Sequence, residues 1–133
     1  MGVADGGGRR ILVMDDEEAI RRLAGRMLLT RGYRAELVPD GAAALSAYKA
    51  AILNQQPFSA VILDLTIPGG MGGRETIAGL QAIDPDVKAI VSSGYSDANE
   101  SSEYREQGFA ASLQKPYKRD DLGRTLARVL ALD

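Results

Sequence analysis

Five side chains carry the chemistry this chain could perform: Asp15, Asp16, Asp64, Ser93 and Lys115. Carboxylates gathered in one place repel one another and need a cation. The sequence contains no histidine and no cysteine, so the side-chain ligands it can offer a metal are oxygens. An oxygen-only set with few carboxylates favours a hard ion that keeps several waters, which describes Mg²⁺. Lys115 would add a fixed positive charge, and Ser93 a hydroxyl able to hydrogen-bond a phosphoryl oxygen. Phosphoryl transfer asks a protein mainly for positioning and for neutralisation of the transferred oxygens. A carboxylate can be the nucleophile in that chemistry. Asp64, flanked by the others in the inferred order, is the expected acceptor.

These residues are far apart in sequence, so the elements must bring them together. Ile11-Leu12-Val13-Met14 is a short continuous apolar run, the pattern of a strand buried on both faces. The acidic run Asp15 to Glu18 suits the start of a helix, whose dipole favours carboxylates. On that helix Ile20, Leu23, Met27 and Leu28 share a face, and Gly32 stops it. Arg34 to Val38 reads as an edge strand because it carries charge. Asp40 can cap a helix in which Leu45, Tyr48 and Ile52 share a face, closed by Pro57. Ala60-Val61-Ile62-Leu63 is a further buried strand delivering Asp64. A loop from Ile67 to Gly73 leads to a helix with Ile77, Leu80 and Ile83, ended by Asp84-Pro85. Val87 to Val91 is the fourth strand, running into Ser92-Ser93-Gly94. Ser96 to Gln107 suits a polar helix ended by Gly108. Phe109 to Leu113 is the fifth strand, running into Gln114-Lys115-Pro116. Leu122, Leu126, Val129 and Leu130 mark the last helix.

Five strands alternating with five helices predict an α/β fold, a parallel sheet covered on both faces. In such a sheet the carboxyl ends of the strands share one edge, where ligands bind. All five chemical residues fall at those ends. Each taken alone has a bland reading, as a turn residue or a solvated helix start. All the bland readings would have to hold together.

Composition bounds the alternatives. The chain of 133 residues is 45% hydrophobic and 26% charged, which suits one domain with a real core. A net charge of -2 and the lack of a basic, aromatic-bearing stripe argue against nucleic acid as a partner. No apolar run is long enough to span a membrane. Residues 1–8 are small and Gly-rich. They read as a linker or an expression remnant outside the fold, leaving residues 9–133 as one domain, with a cytoplasmic location expected. The Gly-rich run 69–73 lacks the Gly-Lys-Ser/Thr ending of a nucleotide-binding loop.

Four motifs carry a family resemblance: Ile-Leu-Val-Met-Asp15-Asp16-Glu17, Val-Ile-Leu-Asp64-Leu-Thr-Ile-Pro68, Ile-Val-Ser-Ser93-Gly94 and Gln-Lys115-Pro116. In this order, spaced by whole βα units, they resemble the receiver domain of two-component response regulators, over about Arg10 to Leu130. The resemblance implies a flavodoxin-like, doubly wound (βα)₅ fold with strand order 2-1-3-4-5. It implies that Asp64 takes phosphate from a phosphohistidine on a histidine kinase or histidine phosphotransfer domain. Asp16 would ligate Mg²⁺ directly, Asp15 would assist, and Asp64 and the Thr66 backbone carbonyl would complete the protein ligands. Ser93 would bond the phosphoryl group, Lys115 would pair with it, and the Lys115–Pro116 bond would be cis. Such a domain catalyses only its own phosphorylation and dephosphorylation, and a weak homodimer is compatible with it.

The run Asp64-Leu-Thr-Ile-Pro-Gly-Gly-Met-Gly-Gly with Ser-Ser-Gly-Tyr95 is most similar to receivers at the end of hybrid sensor histidine kinases. The Gly-rich leader and the lack of a following output domain fit that origin. One departure concerns the switch: many receivers place Tyr or Phe where Ser112 stands here. Tyr95, two residues past Ser93, could shield the phosphoryl group. The rival class is a phosphatase of the haloacid-dehalogenase type, which also forms an aspartyl phosphate. It is disfavoured because Asp64-Leu-Thr66 lacks that class's second acid.

Overall fold

The computed structural model describes residues 6–94 and 104–131. Five strands, β1 (Arg10–Met14), β2 (Arg34–Val38), β3 (Ala60–Asp64), β4 (Ala89–Ser93) and β5 (Ala111–Gln114), form one parallel sheet in the order β2-β1-β3-β4-β5. Among the described residues there are four helices: α1 (Glu18–Thr30), α2 (Gly41–Leu53), α3 (Gly73–Ile83) and α4 (Arg119–Val129). Most of the stretch expected as a polar helix over 96–107 lies outside the described residues, and its described end forms turns. This is the doubly wound, flavodoxin-like fold anticipated from the alternating periods.

The three inner strands are apolar over most of their length, with Arg10, Asp64, Ser92 and Ser93 at their ends, because each faces helices on both sides. Their period of two divides them between two cores. Leu12, Met14, Val61, Leu63 and Val91 pack toward α2 and α3. Ile11, Val13, Ile62 and Ile90 pack with Leu28 of α1 and with Leu122 and Leu126 of α4. Each such fully buried leucine stabilises the fold by roughly 2 kcal/mol in transfer free energy. β2 lies at the sheet edge and is mostly exposed, which is why it tolerates Arg34 and Glu36.

Local signals set several element ends. Gly32 takes a φ of 84°, and the Tyr33 N–H reaches back to the Leu28 carbonyl at 2.9 Å, closing α1. The Asp40 carboxylate accepts the Ala43 N–H at 2.9 Å, capping α2.

Three expectations need correction. The buried face of α2 is Gly41, Ala44, Tyr48 and Ala51, while Ile52 is 42% exposed. That helix is apolar nearly all round, so its sequence does not distinguish a face. β4 starts later than read and includes Ser92 and Ser93, and β5 starts at Ala111 rather than Phe109. Finally, the end of the Gly-rich leader belongs to the folded unit. Gly6 is buried, its N–H bonds the Arg31 carbonyl at 2.6 Å, and the Gly8 N–H bonds the Gly32 carbonyl at 2.8 Å.

Candidate functional site

Parallel register sets the site. Met14 of β1 lies beside Leu63 of β3, and Asp64 lies beside Ser92 of β4. Asp15 therefore leaves β1 next to the end of β3. The ladder continues past the strands: the Leu65 N–H bonds the Ser92 carbonyl, and the Lys115 N–H bonds the Ser93 carbonyl at 2.8 Å. The main chain thus delivers the acids and the lysine to one edge, and the Lys115–Pro116 peptide there is cis.

The Lys115 ammonium bridges two carboxylates, with Nζ 3.1 Å from Asp15 Oδ2 and 3.2 Å from Asp64 Oδ2. Both acids are buried. Asp15 also accepts the Glu17 N–H on Oδ1 at 2.9 Å, and its own N–H bonds the Val38 carbonyl. Burial pushes the Asp64 carboxyl up to about 6, and the Asp15 charge pushes the same way. Lys115 and a bond from the Thr66 backbone pull it down without offsetting those effects. For Lys115, burial works against the ammonium, yet Asp64 and Asp15 outweigh it and its pKa is raised. One cation facing two buried acids leaves the centre short of positive charge.

Above this layer opens a cleft of about 440 Å³ whose walls include Asp16, Glu17, Asp64, Thr66, Gly94 and Lys115. Carboxylate oxygens of Asp15, Asp16 and Glu17 lie within 4.8 Å of one another. Asp16 and Glu17 are exposed, so their oxygens face water. An all-oxygen donor set beside a charge-deficient buried acid fits a hard divalent cation.

A family model for the response regulator receiver domain matches residues 11–127. The chain belongs to the response regulator receiver family. Among relatives of this receiver, sporulation initiation phosphotransferase F of Bacillus subtilis is 28% identical, over 92% of this chain and 94% of its own length. Response regulator MprA of a Mycobacterium strain is 34% identical over 92% of this chain, which spans only half of that protein. The receiver domain of sensor histidine kinase PA1611 from Pseudomonas aeruginosa superposes with a TM-score of 0.79 at 25% identity, covering 93% of this chain and 98% of that one. That structure is described as holding a magnesium ion in its active-site cleft.

The remaining expected residues of this receiver fall as follows. Ser93 is buried at the end of β4, one residue before Gly94 of the cleft wall. Ser112 is half-buried on β5 and lines a separate hollow with Gln114, Arg124 and Arg128 of the α4 side. Tyr95 lies outside the described residues. Glu17 had not been singled out as a site residue, although it continues the acidic run and stands in the cleft wall. Tyr117, buried beside Ser92 on the sheet face under α4, also escaped the sequence reading. Nothing in its spacing from Lys115 marks it.

Proposed function

We propose that this receiver accepts a phosphoryl group on Asp64 in a reaction that depends on Mg²⁺. The observation that carries the reading is Lys115 Nζ bridging Asp15 and Asp64 at 3.1 and 3.2 Å at the floor of an acidic cleft. Asp16, Asp64 and the Thr66 carbonyl, with Asp15 in support, would hold the ion. When bound, the ion would neutralise oxygens of the incoming phosphoryl group and offset the burial and the Asp15 charge that together raise Asp64.

In this reading Asp64 attacks the phosphorus of a phosphohistidine on a histidine kinase or phosphotransfer domain. A P–O bond forms and the P–N bond breaks, its electron pair leaving with the imidazole. Lys115 turns from the Asp15–Asp64 pair to the phosphoryl oxygens, and Ser93 donates its hydroxyl to another. The new dianionic group biases a two-state change in the domain. Ser112 stands where many receivers carry the aromatic part of the switch, and Tyr95 would shield the phosphoryl group. The domain acts on itself rather than turning over a substrate. Among the described residues no helix is long and apolar enough to cross a membrane, which is compatible with the cytoplasmic location proposed. The Asp64 to Gly73 wording supports an origin in a hybrid kinase, testable by the length of the parent gene.

The test is incubation with a small phosphodonor and Mg²⁺, followed by intact-mass measurement. One phosphoryl group is expected on the wild type and none on Asp64→Asn. Persistent labelling of that variant would remove Asp64 from its role, and steady hydrolysis of a phosphomonoester would mark a phosphatase instead.

A further inference from the structure

We infer that Arg21 is a positioning residue for the cation site: its guanidinium holds the peptide that aims Asp16 and Glu17 into the cleft. The inference rests on the Mg²⁺ reading above and goes beyond its ligand set. Arg21 Nη1 donates to the backbone carbonyl of Asp15 at 2.8 Å. That carbonyl belongs to the peptide joining Asp15 to Asp16, so its orientation sets where the Asp16 side chain begins.

Among the described residues, the other hydrogen bonds at the turn before α1 are centred on Asp15. The Asp15 N–H bonds Val38 of β2, and its carboxylate bonds the Glu17 N–H and Lys115. These contacts fix Asp15 and leave the following peptide to be held from elsewhere. Arg21 sits one turn inside α1, its own N–H bonded to the Glu17 carbonyl, so its Cα is fixed by the helix. Its side chain is half-buried and reaches back over the first turn. α1 has no side-chain cap at Glu17; the turn before it is held by the Asp15 carboxylate on the Glu17 N–H and by Arg21 on the Asp15 carbonyl. A charged donor to a carbonyl in a partly buried place is among the stronger hydrogen bonds.

Two physical effects of Arg21 have opposite signs, and this makes the inference testable. As a bare charge, the guanidinium repels a divalent cation, so removing it would tighten binding. As a positioning group it organises the donors, so removing it weakens binding. Magnesium titration calorimetry on the wild type, Arg21→Met and Arg21→Lys separates them. Arg21→Met keeps the stem without the donor, and is expected to bind Mg²⁺ roughly two- to tenfold more weakly, because the freed peptide must then be ordered when the ion binds. Arg21→Lys, which keeps a donor, should recover part of the affinity. Labelling of Arg21→Met by a small phosphodonor should be slow at low Mg²⁺ and normal at saturating Mg²⁺. Its metal-free unfolding midpoint should stay within about 3 °C of the wild type.

Equal or tighter Mg²⁺ binding by Arg21→Met would overturn the inference, as would a labelling defect seen only with a kinase as donor, which would mark a docking contact. A large fall in the midpoint, with Arg21→Lys no better than Arg21→Met, would also overturn it as a general stability effect. If the wild type neither binds Mg²⁺ nor is labelled, the reading of the site itself falls. An unaffected Arg21→Met beside a labelled wild type removes the inference alone.

Discussion

At the level of single residues, the centre is built from conflict between like charges. Asp64 is buried beside Asp15, and its carboxyl is pushed up to about 6 by burial and by that neighbour. A raised acid pKa means that folding favours the neutral form. The group's contribution to stability is complete below the ordinary value near 3.8 and is lost as pH rises through about 6. Asp64→Asn should therefore stabilise the fold in metal-free buffer at pH 8, by on the order of 2 kcal/mol. Below about pH 4 the difference from the wild type should vanish. Urea unfolding of both proteins in chelator at the two pH values checks this, since most other titrations cancel in the comparison. An advantage that persists unchanged at low pH would show that packing, not charge, sets it. If the proposed site holds Mg²⁺, the added ion should stabilise the wild type most where the carboxylate is ionised.

Elements hold these residues through their ends. α2 begins at a side-chain cap, Asp40 to the Ala43 N–H, and the same helix start is tied to the loop after β3 by the Gly41 N–H and the Met71 carbonyl at 3.1 Å. Asp40→Ala should cost about 1 kcal/mol, the usual loss for a cap, read as a lowered urea midpoint with unchanged slope. The start of α3 is held differently, by close approach. A Cβ on Gly72 would stand 2.7 Å from the Leu65 carbonyl oxygen, one residue past Asp64. Backbone cannot swing aside as a side chain can. Gly72→Ala is expected to destabilise by roughly 1–3 kcal/mol and to slow labelling of Asp64, because relief must move the end of β3. Normal stability with normal labelling would mean that the junction yields more easily than its packing suggests.

Across the whole molecule, the sheet brings residues 15, 64 and 115 together, and the leader packs on the C-terminal end of α1. Gly6 fits where a side chain would not: a Cβ there would meet the Tyr33 nitrogen at 2.6 Å. Removing residues 1–8 should lower stability by about 1–2 kcal/mol, the value of two backbone hydrogen bonds, and Gly6→Val should reproduce most of that loss. Calorimetric midpoints test both; no change in either would return the leader to the status of a linker. The sequence by itself determined the strand and helix alternation, because fully buried strands must be apolar runs and Gly32, Asp40 and Asp84 mark element ends. It also determined that Asp15, Asp64, Ser93 and Lys115 fall at strand termini, since a parallel sheet places those on one edge. Only the tertiary structure decided that Lys115 bridges Asp15 to Asp64, that Arg21 holds the Asp15 carbonyl, that Gly6 is buried, and which face α2 turns inward. Those facts depend on distances between separate elements and on main-chain groups that every residue carries, so side-chain type and spacing hold no record of them.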